Sequence, residues 1–527
     1  MTGRRESAVR LVFLTLVLVS LLAVGGSYAT ASGLTAAGDT RATAASNGSD
    51  ADDTATRAAV STDGAAIDLA PRFERASERP TRGENWSTER VSRVVSRTDR
   101  NLTVVATQGF YVSDETAELA AVTPNGTVVY YEDRYRVYFD VDPVEGERYT
   151  VEYVAAEHLD GAACANVSSE ECTRNVVVRA NLTTGDRERV YADVTPRIYS
   201  ARWHDVDRIN DTHLLVADIV NDGVYAVDTR DDEIEWRWNA SAHYDRSAGG
   251  SDGDWTHIND VELLADGSVM VSPRNMDSVI FLERGPDGWA VDESRTLGSD
   301  GNHDRLYEQH NPDYIPAEHG GPAVLVADSE NGRIVEYSRT DDGWTHAWIW
   351  RDARLQWPRD ADRLPDGNTL VVDSHGDRVA EVGPDGEVVW RLDVGMPYDV
   401  ERLGTGDEST GGPAAQYREA VAERPGDTAA VVADVRNRTN ATAGGVGGQT
   451  LPLVDRFWIG LKALTPSLVA NGLLYVAPSW VRFTDLAFAA LGLVTAVVWA
   501  GVEFHWSERS LRGGWRRVTG ALRGRLG

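Results

Sequence analysis

The sequence contains very little cysteine and lysine. Its 527 residues include two cysteines, Cys164 and Cys172, and a single lysine, Lys462. Two cysteines this close together favour a local disulfide formed outside the cell over a redox or metal site. The 52 basic residues are outnumbered by 82 acidic ones, giving a net charge of −30. That balance argues against a nucleic-acid partner, which needs a basic face, and suits a halophilic surface solvated in high salt.

Long apolar runs occur at the two ends of the chain. The first follows Arg4, Arg5 and Arg10, and makes residues 1–31 either a signal peptide or an uncleaved signal anchor. The second predicts a transmembrane helix over 484–503; a buried core helix is the alternative. The tail at 504–527 is rich in arginine, so the positive-inside rule places it in the cytoplasm. We therefore expect a cell-membrane protein whose main domain is extracellular.

Potential glycosylation sites agree with an external location. Each Asn-x-Ser/Thr sequon is a weak signal alone, but none follows the C-terminal apolar run. The sequons are at Asn47, Asn85, Asn101, Asn125, Asn166, Asn181, Asn210, Asn239, Asn437 and Asn440.

Two segments lack a sustained hydrophobic period. Residues 32–100 are rich in Ala, Thr, Ser, Asp and Arg, and are predicted to form a flexible stalk. Residues 405–455 return to a similar composition and are predicted to be a linker, with a possible short helix at 416–423. Residues 456–483 are apolar with few charges, which is typical of a segment lying on a membrane surface.

The region between these segments, residues 101–404, repeats one register six times. Each copy begins with a variable residue, which is usually followed by an aspartate. An apolar residue lies five positions after the variable residue, and a turn and a β-rich run often come next. Repeats that contain several short strands are typical of a β-propeller, in which equivalent innermost residues form a ring around a central channel. The six pairs are Phe139-Asp140, His204-Asp205, Asn259-Asp260, His310-Asn311, Arg359-Asp360 and Tyr398-Asp399.

The ends of the β-rich region indicate how the ring closes. Residues 103–132 supply three strands without an inner strand before them, and 398–403 form an inner strand without outer strands after it. Together they make one blade. The sequence therefore predicts an all-β fold, a six-bladed propeller whose two ends pair and leave no exposed sheet edge.

The predicted ring is too polar to serve packing alone. Strand alternation places His257 on the same face as Asn259, and the register of the following hairpin, which pairs Leu264 with Val269, places Arg274 opposite Asn259. A simple ion pair of Arg274 with Asp260 or Asp277 is the alternative. Imidazole, amide and guanidinium groups facing inward suit an oxyanion, and a neutral histidine among them can act as nucleophile or base. The expected site contains His204, His257, Asn259, Arg274 and His310, with Arg359 and Tyr398 further round and Phe139 as a wall.

These residues resemble a known family, the arylsulfate sulfotransferases. The resemblance rests on His204-Asp205, on the stretch His257-Ile258-Asn259-Asp260 followed by Arg274, and on Gln309-His310. Members of that family are six-bladed propellers that move a sulfuryl group from a phenolic sulfate ester to another phenol. They use a ping-pong route through a sulfohistidine and need no nucleotide sulfate donor.

The resemblance implies a role for each matching residue. His310 corresponds to the histidine that takes the sulfuryl group, and His204 to the second catalytic histidine. His257, Asn259 and Arg274 correspond to the groups that hold the sulfuryl oxygens. The implied partners are an aryl sulfate donor and a phenolic acceptor, with no cofactor and no metal. The long stalk, the membrane helix and the acidic surface depart from the family and leave the acceptor open.

Two other classes remain open on the sequence alone. One is a non-catalytic, membrane-anchored propeller that binds extracellular ligands or envelope partners. The other is a metal-dependent lyase or hydrolase with His204, His257 and His310 as ligands, since propellers host all three kinds of protein.

Overall fold

The structure, a computed structural model, describes residues 2–31, 58–60, 66–68, 87–89, 102–109, 117–286, 288–423, 428–438, 451–478 and 481–523. The described part divides into two compact units. One comprises Met1–Asp52 with Ala477–Gly527, and the other Asp53–Val476. Most of the predicted stalk, and the sequons at Asn47, Asn85, Asn101 and Asn440, lie outside the described residues.

The second unit is a six-bladed β-propeller of antiparallel sheets, as predicted. We number the blades in the order of their inner strands. From the channel outwards, blade 1 consists of Val137–Pro143, Thr150–Asp160, Glu171–Asn181 and Arg187–Pro196. Blade 2 consists of Val206–Asn210, His213–Asp218, Gly223–Asp228 and Glu233–Asn239. Blade 3 consists of Ile258–Leu263, Val269–Pro273, Ser278–Gly285 and Gly288–Val291, and the short strand Leu297–Gly298 pairs with its third strand.

The remaining blades follow the same plan. Blade 4 consists of His310–Ile315, Ala323–Asp328, Arg333–Thr340 and Gly343–Trp350, blade 5 of Pro358–Asp360, Thr369–Asp373, Arg378–Val382 and Val388–Asp393, and blade 6 of Pro397–Arg402, Thr103–Thr107, Leu119–Val122 and Val128–Glu132. Blade 6 confirms the predicted closure, because its inner strand comes from the C-terminal end of the propeller and its outer strands from the N-terminal end. Within the predicted stalk, Ser87–Glu89 adds a fifth strand to blade 5, and Ala58–Val60 pairs with Ala66–Asp68.

Apolar side chains fill the six interfaces between neighbouring blades. A buried cluster spans each interface with members from both blades; Trp203 and Val216 of blade 2, for example, pack with Val154 and Val177 of blade 1. Strands therefore bury both of their faces, which explains why the blade strands are rich in Val, Leu and Ile. The predicted disulfide between Cys164 and Cys172 is formed and closes a loop in blade 1.

The aspartate after four of the six ring residues joins one blade to the next. A β-bulge occurs at the ring position of five inner strands, which frees a backbone amide there. A carboxylate from the preceding blade accepts a hydrogen bond from that amide. We call these bonds the girdle; they run from Val206 N to Asp140, from Val261 N to Asp205, from Val400 N to Asp360 and from Val141 N to Asp399.

Part of the segment predicted to be a linker packs against the propeller instead. Helices α2 (Arg418–Glu423) and α3 (Thr428–Arg438) follow α1 (Thr2–Ala31), and Tyr417, Val421 and Val432 are buried against blades 4 and 5. The fully buried pair of Arg363 and Glu336, 2.8 Å apart, anchors this segment, since Arg363 also donates to the carbonyl of Pro413. Specific polar contacts of this kind leave little trace in composition, so the sequence indicated a linker.

Three more helices follow. Helices α4 (Leu453–Ala463) and α5 (Ser467–Val476) meet at an angle of 98° and belong to the propeller unit. Helix α6 (Phe483–Arg523) includes a stretch, Phe483–Ser507, that is long and apolar enough to cross a membrane. The same holds for Val9–Ala29 in α1, and for α4 with α5 if the bent pair is one span. Both predicted apolar ends thus qualify as membrane spans.

Candidate active site

The predicted ring residues meet at one end of the channel. The ring of Phe139 lies 4.5 Å from that of His204 and 4.6 Å from that of Tyr398, centroid to centroid. His204 lies 5.1 Å from His257, and His310 lies 6.4 Å from Tyr398. All are buried or nearly so, because the inner strands converge on the channel and their bulges turn the side chains inward. The sequence register therefore identified a real cluster.

His310 is held in one tautomer by its neighbours. Its Nδ1 lies 2.8 Å from Ser329 Oγ, and that hydroxyl donates its own hydrogen to the carbonyl of Pro358 at 2.7 Å. Because the hydroxyl has one hydrogen to give, it accepts from His310, and the imidazole proton is on Nδ1. Nε2 therefore carries the lone pair. It faces the guanidinium of Arg359, which is within hydrogen-bonding distance.

The histidines of the site are neutral at physiological pH. Burial is the main cause that lowers the pKa of His310 well below its ordinary value, and the charges of Arg359 and Arg274 add to it. Burial likewise lowers the pKa of His204 well below that value, helped by His257 and Arg202. The pKa of His257 is also lowered by burial and by Arg274, although its bond to Asp254 opposes the shift.

Three arginines supply positive charge around these neutral rings. Burial lowers the pKa of Arg359 and of Arg202 to about 10, so both remain charged near neutral pH. The guanidinium of Arg359 stacks on Trp357 at 3.8 Å and lies 5.3 Å from the ring of Tyr398. Arg274 pairs with Glu308 and not, as the alternative had it, with Asp260 or Asp277.

The reasoning that led to His257 and Arg274 was wrong in its geometry, although both residues lie at the site. Leu263, not Leu264, pairs with Val269, and the register shifts again between Ile258 and Val261. His257 precedes the strand with a φ of 48°, and Arg274 follows the partner strand in a short 3-10 turn. The Arg274 amide donates to the His257 carbonyl at 3.3 Å. The bulge, which simple alternation cannot anticipate, accounts for the difference.

His257 and Asn259 are both fixed by polar contacts. The Nδ1 atom of His257 lies 2.6 Å from Asp254 Oδ1. Burial would raise the pKa of Asp254, but the bond to His257 and the charge of Arg274 lower it to about 2. Asn259 donates to the carbonyl of Gln309 at 2.9 Å, and its buried Oδ1 has no hydrogen-bond partner among the described residues. Asn259 therefore positions the strand that carries His310.

Sequence reasoning missed a second layer of residues, two positions before the ring residues. Arg202, Glu308 and Trp357 occupy this position in blades 2, 4 and 5, as His257 does in blade 3. Glu308 and Trp357 share the positive φ of His257, at 44° and 55°. The same register that identified the ring would have found these residues if it had been read two positions earlier.

His375 was also missed, because its blade position does not belong to that register. It is buried against Trp357, with ring centroids 4.4 Å apart. Burial and the charge of Arg359 lower its pKa to about 3, so it is a neutral wall of the site.

Comparisons with known proteins found similar solved structures but no matching sequence. No protein-family model and no curated protein sequence matches the chain. Among solved structures it is similar to a periplasmic gluconolactonase of Pseudomonas aeruginosa (11% identity, 58% of this chain and 100% of that one, TM-score 0.38). It is also similar to a virginiamycin B lyase of Staphylococcus aureus (7%, 62% and 92%, TM-score 0.32) and to a protein from Lactobacillus plantarum (11%, 57% and 99%, TM-score 0.35).

The geometry predicts that the site binds a small oxyanion. Sulfate at millimolar concentration, well below the range in which excluded salts stabilise proteins generally, should raise the melting temperature more than chloride at equal ionic strength. The effect should disappear in Arg359→Gln and persist in Arg174→Gln, which alters a half-exposed ion pair of blade 1. Thermal unfolding of the detergent-solubilised chain measures it. Equal sulfate stabilisation in both variants would place the anion elsewhere.

Proposed function

We propose that this protein is an arylsulfotransferase, which moves a sulfuryl group from a phenolic sulfate ester to a phenolic acceptor through a sulfohistidine. The observation that carries the proposal is the orientation of His310. The hydrogen bond from Nδ1 to Ser329, which itself donates to the carbonyl of Pro358, leaves the lone pair on Nε2. That lone pair faces the guanidinium of Arg359. The nucleophile and the oxyanion-binding group are thus in direct contact, and a sulfuryl group that reaches Nε2 would displace the guanidinium from the lone pair onto its own oxygens.

In the first step the Nε2 lone pair of His310 attacks the sulfur atom. The new N–S bond forms as the bond from sulfur to the phenolic oxygen breaks, and the phenolate leaves with the electron pair. Arg359 holds the sulfuryl oxygens, and Arg202 and Arg274 stabilise the negative charge. The proton stays on Nδ1 and hydrogen-bonded to Ser329 throughout, so no proton has to move before attack.

In the second step the acceptor phenol attacks the same sulfur atom. Its proton passes to a neutral histidine, for which His204 is suited because its buried Nδ1 has no hydrogen-bond partner among the described residues. The N–S bond breaks and its electron pair returns to Nε2. The protonated His204 then gives its proton to water as the new aryl sulfate departs, which restores the starting state.

The walls of the site suit an aryl group. Phe139 and Tyr398 contact each other edge to face, and Trp357 lies beside Arg359, so flat apolar surface lies next to the anion-binding groups. We further propose that the propeller lies on the extracellular side of the cell membrane, with the basic tail in the cytoplasm.

Turnover of 4-nitrophenyl sulfate with phenol in high salt tests the proposal. We expect phenol-dependent release of 4-nitrophenol, and His310→Ala should reduce it by about 10³-fold or more, because the nucleophile is lost. His243→Ala is the matched control, since that histidine pairs with Glu293 on an outer surface. Mass spectrometry after donor alone should find one SO₃ group on His310. Folded protein that binds sulfate without turnover would favour the non-catalytic binding propeller instead.

The low pKa of His310 predicts the acid limb of the pH profile. Protonation removes the Nε2 lone pair, so kcat/KM should stay level well below the ordinary imidazole pKa of about 6.5 before it falls. Arg359→Gln removes one of the charges that lower the pKa of His310, and should move the acid limb upwards in pH while reducing the rate. Initial rates followed at a pH-independent wavelength give both profiles. An unmoved limb would show that another group titrates.

A further inference from the structure

The girdle is interrupted at blade 4. There the aspartate position holds Asn311 and the next residue is Pro312, which has no amide hydrogen to donate. The carboxylate that would accept it, Asp260 of blade 3, is 2% exposed, and its Oδ2 has no hydrogen-bond partner among the described residues. The buried Oδ1 of Asn311 is equally unpartnered there. Burying such oxygens without compensation is costly, so the gap calls for a positive group.

A second observation at the gap is a trio of buried carboxylates. Asp313, Asp360 and Asp362 of blades 4 and 5 each offer one oxygen, and the three oxygens lie within 4.8 Å of one another. The charges of Asp205, Glu262 and Asp313 act on Asp260. Arg363 acts on Asp313 but is already paired with Glu336 at 2.8 Å.

We propose that this gap binds one hard divalent cation, Ca²⁺ in the first instance, with Asp313, Asp360 and Asp362 as ligands and Asp260 facing it. Ca²⁺ binds carboxylate and amide oxygens at about 2.3–2.6 Å, so ligand oxygens up to about 5 Å apart fit around one ion. The ion would do for blade 4 what the amide hydrogen does elsewhere, which is to join one blade to the next.

An acidic cavity lies near these carboxylates, because its lining includes Glu262, whose charge acts on Asp260. The cavity has a volume of about 160 Å³ and is lined by Asp142, Asp205, Asp207, Glu262 and Asp407 among others. Its lining is acidic, so it attracts cations and repels anions. The cation site is distinct from the His310 site because it uses the residues after the ring residues, not the ring residues themselves.

Metal content and stability of the full chain in detergent test the proposal. Chelator-treated protein equilibrated with Ca²⁺ and freed of excess should retain one Ca²⁺ per chain, and Ca²⁺ should raise its melting temperature by several degrees. Asp313→Asn with Asp360→Asn should reduce bound Ca²⁺ to background. Glu235→Gln, a half-exposed carboxylate in a separate acidic group with His213 and Asp228, should retain it.

Pro312→Ala gives an independent test that leaves all the proposed ligand side chains in place. It supplies the missing amide hydrogen to Asp260, so the Ca²⁺-free protein should melt higher than the Ca²⁺-free parent, and the gain from Ca²⁺ should shrink. This result would support the site even if the double aspartate variant did not fold. Absence of bound Ca²⁺ and of any Ca²⁺-dependent change in melting would overturn the proposal. Retention of Ca²⁺ by the folded double variant would do the same.

A different observation concerns helices α4 and α5, which cover the His310 end of the propeller. Asn471 of α5 donates to Glu330 at 2.8 Å and also bonds to Gln356. Tyr475 lies 5.7 Å from Trp357, the residue that stacks on Arg359. The inward side of this helix pair is therefore one residue layer from the anion-binding group.

The outward side of the same helix pair is apolar and exposed. Its large apolar side chains are between 51% and 84% exposed, which is unusual for so many neighbours in sequence. Only six residues separate Val476 from the candidate span that begins at Phe483, so the chain tethers this face close to a membrane. The exposed residues are Leu453, Val454, Phe457, Leu464, Leu468, Val469, Leu473 and Val476.

We infer that the outward face of α4 and α5 lies in the interfacial layer of the bilayer and that substrate reaches the site from there. The substrate class, which rests on the proposed function, is then an amphiphilic phenol or phenolic sulfate with a lipid-like tail. Such a molecule would present its polar head to Arg359 while its tail stays in the membrane.

Fluorophore quenching tests the bilayer contact without any assay of activity. Because both native cysteines are in the disulfide, Leu464→Cys and Ile234→Cys each offer one thiol for a fluorophore. In proteoliposomes, brominated lipids should quench the label at 464 strongly and the label at 234, on an outer strand of blade 2, little. Equal, weak quenching at both positions would overturn the contact.

Comparison of two donors tests the substrate class. A long-chain alkyl derivative of 4-nitrophenyl sulfate should show a kcat/KM about 10-fold or more above that of the parent in proteoliposomes, and Leu464→Ser with Leu468→Ser should reduce that advantage. Equal use of both donors would overturn the substrate class alone. Failure to use either would instead count against the proposed function.

Discussion

The geometry of the propeller depends on the hydrogen bond between a carboxylate of one blade and a freed amide of the next. A bulge at the ring position turns the ring side chain into the channel and leaves an amide without its strand partner. The aspartate directly after the ring residue of the preceding blade satisfies that amide, as Asp205 does for Val261. The interaction that joins the blades therefore also orients the ring residues. A substitution at one of these aspartates would affect both.

The same arrangement separates charge along the channel. Three arginines lie at one end: Arg359 of the ring, Arg202 two positions before a ring residue, and Arg274 in the turn after the second strand of blade 3. The carboxylates after the ring residues form a separate layer. Burial makes both layers selective for ions of the opposite charge, because an unpaired buried charge costs free energy and a complementary ion removes that cost. The layer of arginines suits an anion. Three arginine charges also disfavour a metal held by His204, His257 and His310, which was one alternative from the sequence.

The fold and the centre of the site could be predicted from the sequence because they depend on a repeat. The register gave the six blades, their closure and the inward position of His204, His310, Arg359 and Tyr398. It failed where a single residue changes the backbone. The bulge at Asn259 shifted the pairing on which Arg274 was placed, and Pro312 interrupts the girdle in one blade only. Contacts between distant segments, such as Asn471 with Glu330, have no local pattern and could not be predicted.

One network links the two groups on which the proposed chemistry depends. Ser329 of blade 4 accepts the Nδ1 proton of His310 and donates to the carbonyl of Pro358, the residue immediately before the tryptophan-flanked Arg359 of blade 5. The hydroxyl thus sets the tautomer of the histidine and holds the strand that carries the guanidinium. The lone pair and the positive charge are therefore positioned by the same hydroxyl, and only the guanidinium of Arg359, which contacts Nε2, has to move when an oxyanion arrives. Positioning of this kind, together with burial that keeps the imidazole neutral, is what transfer of a sulfuryl group would require from the protein.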